Sequence, residues 1–282
     1  MYTPDDAGLR TCRLNDGNQI PAVGFGTWTV KDEEEGYKTV LKALEVGYRH
    51  IDTASIYGSE KSVGRAIRES GISRQNIFVT TKVAKKDMGY EGAKRSLQQS
   101  LEKMQLDYVD LLLIHWPNAV APGWEKGVED TWRAFCEAKD KGLVGSVGVS
   151  NFLPKHFPAL GGLKPSVNQI EYHIGYTQDE TVKYCQEQGI LVEAWSPLGR
   201  KRVFEHPLIN EIAGRYKVSV ARVCMAFCVQ HDILPLPKSA TPERMKENLD
   251  CFSFRLEQAD IDRLSGIGEV GFSGLHPDSF AS

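Results

Sequence analysis

Short runs of apolar and β-branched residues alternate with stretches whose apolar positions recur every three to four residues, along the whole chain. Residues 23–27 form one such run, and after it Tyr37, Val40, Leu41 and Leu44 share one helical face. Residues 50–52 precede a helical stretch near 62–70. The run 77–82 precedes a helix with Leu97, Leu101 and Met104 on one face, and 109–115 precedes a helix over 130–141. Further strand-like runs occupy 146–149, 167–170, 190–194 and 233–236. A period near two predicts strands and a period near 3.6 predicts helices. Strands separated by helices run parallel, because a parallel pair needs a crossover connection.

Eight β-then-α units in 282 residues predict an α/β fold, a (β/α)8 TIM barrel, rather than an open sheet. Ahead of the first unit, Asp16-Gly17 separates residues 11–14 from 19–20, which reads as a β-hairpin closing the barrel bottom. No Pro/Ser-rich linker interrupts the chain. A single domain over 1–282 is expected, with 1–22 as the N-terminal segment and 266–282 as a C-terminal tail. One run conflicts with its assignment: Pro235 and Pro237 fall in or beside the eighth strand, and proline is disfavoured in a central strand.

Charge narrows the function classes. With 34 Lys and Arg against 37 Asp and Glu, the formal net charge is −3, and no basic run suggests nucleic acid. No apolar run, 111–114 and 223–229 included, approaches the length that spans a bilayer, and the first residues lack the pattern of a signal peptide. A cytoplasmic protein is expected, with no nucleic-acid or membrane partner. The six cysteines form no CxxC pair. Cys224 and Cys228 lie one helical turn apart. The stripe Val220, Val223, Cys224 and Phe227 places Cys224 in a helix core rather than on a metal, and no metal site is expected.

The chemistry sits where strands end. Asp52, Lys82 and His115 close three successive strand runs, and Tyr57 follows Asp52 by five residues. In a barrel of this type such residues converge on the C-terminal mouth. Each alone has an ordinary reading: a helix cap, a solvated lysine, a packed tyrosine, a satisfied core histidine. Together they suit proton donation to an oxygen gaining negative charge. A free tyrosine is a poor acid at neutral pH. Lys82 would lower the Tyr57 pKa, Asp52 would hold Lys82, and His115 would orient a carbonyl oxygen.

The chain resembles the aldo-keto reductases over nearly its whole length. The likeness is carried by Gly47-Tyr48-Arg49-His50-Ile51-Asp52-Thr53-Ala54 and by Leu113-Ile114-His115-Trp116-Pro117. It continues in Gly148-Val149-Ser150-Asn151-Phe152, Ser196-Pro197-Leu198-Gly199 and Pro237-Lys238-Ser239-Ala240-Thr241-Pro242-Glu243-Arg244. The resemblance implies a catalytic tetrad matched by Asp52, Tyr57, Lys82 and His115. It implies hydride transfer from NADPH to a small-molecule aldehyde or ketone, and a monomer. It also supports the eighth strand, prolines included. Trp195 resembles the microbial branch that includes 2,5-diketo-gluconate reductases and protozoan prostaglandin F synthases.

No Gly-x-Gly-x-x-Gly follows a strand, so a Rossmann cofactor site is not expected. Lys238, Ser239, Thr241 and Arg244 instead open a helix after the eighth strand, a setting that suits an anion. By resemblance Lys238, Ser239 and Arg244 bind the 2′-phosphate of NADP, and Glu247 and Asn248 face the adenine. Ser150, Asn151 and Gln169 hold the carboxamide. Trp195 stacks on the nicotinamide, and Ser196 and Leu198 belong to the same cofactor site. Trp28, Ile56 and Trp116 would line an aromatic substrate mouth with Trp195, while Trp132 packs in the core. The loop after His115 and the C-terminal tail are short, which suggests an open site and broad aldehyde use. A regulatory nucleotide-binding barrel, such as the potassium-channel β-subunits that share the fold, and a structural protein such as some lens crystallins remain alternatives.

Overall fold

The computed structural model describes residues 3–4, 9–31, 33–162 and 164–280. Three strands, β1 (Thr3–Pro4), β2 (Arg10–Arg13) and β3 (Gln19–Pro21), form a small antiparallel sheet. Eight more form one parallel sheet in chain order: β4 (Phe25–Gly26), β5 (His50–Asp52), β6 (Phe78–Val83), β7 (Val109–Ile114), β8 (Val144–Ser150), β9 (Val167–Glu171), β10 (Leu191–Trp195) and β11 (Leu234–Leu236). Two backbone bonds close the sheet into a barrel: Gly24 N donates to Pro235 O, and Gly26 N donates to Pro237 O, each at 3.1 Å.

These two bonds explain the prolines. A residue's N–H and C=O point to the same side of a strand, so the Pro235 and Pro237 nitrogens face β4. β11 therefore keeps its pairing to β10 and loses donors only toward β4. The seam is thin for this reason, and β4 is two residues long instead of the five expected. It also needs close approach. A Cβ on Gly24 would lie 2.4 Å from Leu236 Cδ2 and 2.6 Å from His50 Nδ1.

Helices cover the outside: α1 (Glu34–Val46), α2 (Glu60–Glu69), α3 (Tyr90–Met104), α4 (Trp124–Asp140), α5 (Asp179–Glu187), α6 (Pro207–Tyr216), α7 (Val220–Gln230), α8 (Pro242–Leu249) and α9 (Gln258–Ser265). Two expectations need correction. α4 begins six residues before the predicted start, because Gly123 at its N-cap is left-handed and Gly127 interrupts the apolar pattern. After β8 the connection is the 3-10 helix Pro154–Leu160, not an α-helix, since Pro158 supplies no N–H there. Cys224 and Cys228 are wholly buried in α7, within the helix core.

Two apolar layers follow from strand alternation. Outward residues such as Val79, Leu112, Ile114 and Val192 pack against the helices. Inward residues Phe78, Leu111, Leu113, Val167, Leu191, Leu234 and Leu236 fill the lower barrel, plugged by Cys12, Leu14 and Ile20 of the hairpin. The hairpin is pinned at the N-terminal ends of the strands by Asn15 Nδ2 to Pro165 O (2.9 Å) and Asn18 Nδ2 to Ser146 Oγ (2.9 Å). It is the predicted bottom cap. Continuing upward by twos, Phe78 leads to Lys82, Leu113 to His115, Val167 to Gln169 and Leu191 to Glu193. The interior is apolar below and polar above.

Candidate active site

The four strand-end residues meet in that polar layer. Lys82, 1% exposed, donates to Asp52 Oδ1 (2.6 Å), Asp52 Oδ2 (2.7 Å) and Thr53 O (3.0 Å). The ammonium also faces the Tyr57 ring, 5.1 Å from its centroid. The Tyr57 hydroxyl lies 3.5 Å from His115 Nε2. These four residues come from β5, the loop after it, β6 and the end of β7, as the sequence placed them.

Protonation follows from burial and charge. Burial by itself would pull the Lys82 pKa down. The charge and hydrogen bonds of Asp52 lead the groups that outweigh it, so the ammonium is held. His115 is pushed well below the usual imidazole value by burial and by Lys82 and Lys85, so it is neutral at pH 7. Its Nδ1 is buried with no acceptor, which favours the proton on Nε2, facing Tyr57 and the cavity.

Tyr57 reverses an expectation. Its pKa is raised, not lowered. Loss of solvent around the phenol is the largest cause, and Asp52 adds to it. Lys82 pulls the other way but does not win. The hydroxyl therefore keeps its proton through neutral pH.

A cavity of about 490 Å³ opens above these groups. It is lined by Tyr57 and His115, by the expected mouth residues Trp28, Ile56 and Trp116, and by Ser150, Asn151, Gln169, Trp195, Ser196, Leu198 and Lys238. Ser150 Oγ donates to Gln169 O (2.7 Å), and Asn151 Nδ2 donates to His115 O (3.0 Å). Trp195 Nε1 donates to Asn151 Oδ1 (2.8 Å), which fixes the indole at the cavity wall. Trp132 is 2% exposed and belongs to the core.

Ser239, Thr241, Arg244, Glu247 and Asn248 lie outside that lining, around the start of α8 and along it. Thr241 stands at the N-cap with Pro242 at the first helical position, but its hydroxyl caps no helix N–H. Ser239 Oγ instead accepts from Thr241 N at 3.2 Å. Arg244, Glu247 and Asn248 share one face of α8 by their three- and four-residue spacing. Lys238 and Arg244 are exposed, with no hydrogen-bond or carboxylate partner among the described residues.

Two features escaped the sequence reading. The tail is not merely short. It docks over the site, with Phe280 packed at a tilt against Trp116 (ring centroids 4.4 Å apart) and lining the cavity, and with Ser273 Oγ donating to buried Glu171 at 2.7 Å. The second is Glu193, an acid inside an apolar run. Gln169 Nε2 donates both to Asp52 Oδ2 (2.9 Å) and to Glu193 Oε2 (2.8 Å). Two carboxyl groups flanking one amide require its nitrogen, not its oxygen, to face them. Gln169 Oε1 is left to the cavity.

Lys82 is the one cation in this buried cluster, and it is committed to Asp52. His50, 4.0 Å from Glu193, is driven down to about 3 by burial and by Lys82 and is neutral. Burial and the Asp52 charge accordingly push Glu193 up to about 8. The native state binds a proton there that the unfolded chain releases near 4.5, so stability falls as pH rises through that window and levels off above about 8. Glu193→Gln is expected to remove this slope. Thermal melts at pH 5.5 and 8.5 check it: the variant's gain over the parent should be larger at the alkaline pH, and a pH-independent difference would contradict the assignment.

The Aldo/keto reductase family profile matches residues 22–269. The chain is 40% identical to the glyoxal reductase of Bacillus subtilis (strain 168), over 95% of this chain and 96% of that protein. The solved aldo/keto reductase of Brucella melitensis is 43% identical, with a TM-score of 0.86 over 92% of this chain and 99% of that one. The Bombyx mori aldo-keto reductase, solved in complex with NADP, gives a TM-score of 0.83 at 33% identity over 92% of each chain. The protein belongs to the aldo/keto reductase family, whose members are NADP(H)-using oxidoreductases.

Proposed function

We propose that this protein reduces small aldehydes or ketones to alcohols with NADPH, Tyr57 donating the proton. The observation that carries this is the phenol and neutral imidazole 3.5 Å apart at the floor of one cavity, above a buried Lys82–Asp52 pair. A carbonyl oxygen placed near both groups would accept the Tyr57 proton and a hydrogen bond from His115 Nε2. Lys82 would stabilise the phenolate left behind, and Asp52 would keep Lys82 charged and in place.

NADPH would supply the hydride. The residues fit it. The face of Trp195 and the free Gln169 Oε1 suit the nicotinamide ring and its carboxamide, with Ser150, Asn151, Ser196 and Leu198 around them. The two unpartnered cations Lys238 and Arg244, with Ser239 and Thr241 at the start of α8, suit a 2′-phosphate. Glu247 and Asn248 complete the adenine side. The cavity is walled by the tail as well as the barrel, so we take 1–282 as one functional unit. We take a single chain as the acting form, because it supplies every group named. The described cysteines are free, which fits a reducing cytoplasm.

Lys238→Ala and Arg244→Ala should each weaken NADPH binding about tenfold or more while changing NADH binding by less than about twofold. Fluorescence titration with both cofactors checks this. Equal losses for both would mean that these cations do not read the phosphate.

A further inference from the structure

Glu193 is fully buried in β10 and takes no part in the proton-transfer scheme, yet one amide ties it to the Lys82–Asp52 pair. Gln169 Nε2 donates to Glu193 Oε2 at 2.8 Å and to Asp52 Oδ2 at 2.9 Å. A glutamine amide carries two hydrogens, so each carboxyl receives one. The other donors around Glu193 are committed elsewhere. An ammonium has three N–H groups, and those of Lys82 go to Asp52 Oδ1, Asp52 Oδ2 and Thr53 O. His50 Nε2 is 4.0 Å from Glu193 Oε1 and pairs instead with Thr80 Oγ1 at 3.0 Å. Glu193 Oε1 has no hydrogen-bond partner. An ionised Glu193 would hold one amide hydrogen and no cation, a costly state for a buried charge. The geometry calls for a neutral acid.

The titratable and charged groups facing it among the described residues are few. β5 brings Asp52 and the neutral His50, and β6 brings Lys82. The hairpin strand β2 brings the Cys12 thiol, which burial pushes up to about 12 and keeps neutral. β11 sets only Leu234 in register beside it. Charge counting then decides the effect on the reaction. With Glu193 neutral, one cation faces one anion, and a phenolate at Tyr57 becomes the second anion. With Glu193 ionised, that phenolate becomes the third anion against the same single cation.

We infer that Glu193 is a positioning residue of the reduction, which as a neutral acid anchors the Gln169 amide and leaves the Lys82 charge to the Tyr57 oxygen, and which on losing its proton slows proton donation. Glu193 touches neither substrate nor cofactor and acts through Gln169 and Lys82. The alkaline limit of turnover therefore belongs to Glu193, whose proton is lost near pH 8, and not to Tyr57, whose pKa lies above the ordinary phenol value. This inference deepens the proposed reduction and rests on it.

The experiment records kcat for 4-nitrobenzaldehyde with saturating NADPH between about pH 6 and about pH 10, in the parent, Glu193→Gln and Glu193→Leu. Circular dichroism at each pH reports whether the protein stays folded. In the parent kcat should fall roughly tenfold from about pH 7 to about pH 9, and in either variant by less than about threefold. The NADPH KM should rise more in Glu193→Leu than in Glu193→Gln, because only glutamine keeps an oxygen for the Gln169 amide. Either variant alone tests the alkaline limb, so misfolding of one leaves the other to decide. A decline equal in parent and variants, or one that tracks loss of the dichroism signal, would overturn the inference and leave the reductase standing. A parent inactive toward the aldehyde at every pH would overturn the reductase itself.

Discussion

Tyr57→Phe is expected to lower kcat for aldehyde reduction by about 10²–10⁴-fold, the usual worth of a positioned general acid, while NADPH affinity stays within about threefold. The phenol is the acidic group facing the cavity beside His115, and His115 is neutral at working pH. The raised Tyr57 pKa keeps the hydroxyl protonated at neutral pH, and in the proposed reaction Lys82 would offset the cost of the phenolate. The substitution removes one oxygen and keeps the ring that packs edge-on against His115 at 5.6 Å, so folding should be spared. Steady-state kinetics with a parallel cofactor titration checks both halves. Undiminished turnover would remove Tyr57 from the mechanism.

Lys82→Met should cost about 3–5 kcal/mol of stability, and turnover with it, because breaking a buried pair leaves an uncompensated charge. Asp52 is 4% exposed and would then share the Gln169 amide with Glu193 and no cation. The double change Asp52→Asn with Lys82→Met removes both charges and should recover much of the stability while leaving the enzyme inactive. Urea denaturation of the two single variants and the double variant measures the coupling. A double variant no more stable than Lys82→Met would show that pairing is not what holds this layer together.

The barrel was legible because its period changes eight times. The convergence of Asp52, Tyr57, Lys82 and His115 was legible because Asp52, Lys82 and His115 interrupt apolar strands where they end. β11 was hard to read because a proline rule about lost donors does not say which neighbour loses them. Only the seam geometry, with Gly24 and Gly26 donating to Pro235 and Pro237, shows that the loss falls on β4. Glu193 left a visible signal, a carboxyl inside the apolar run 190–194, yet its link to Asp52 runs through Gln169 on another strand. The docked tail left none, since Ser273–Glu171 and Asp278–His156 join residues more than a hundred positions apart. The direction of the Tyr57 shift was misread for a related reason. A neighbouring ammonium can be inferred from sequence, but the extent of desolvation that outweighs it belongs to the folded cavity.

The most direct measurement is NADPH consumption by the purified protein across a panel of small aldehydes, repeated with NADH and with Tyr57→Phe. The account predicts oxidation with NADPH, weaker use of NADH and near-complete loss in the variant. Tight NADPH binding with no oxidation of the cofactor by any carbonyl compound would contradict it and make the barrel a nucleotide-binding regulator.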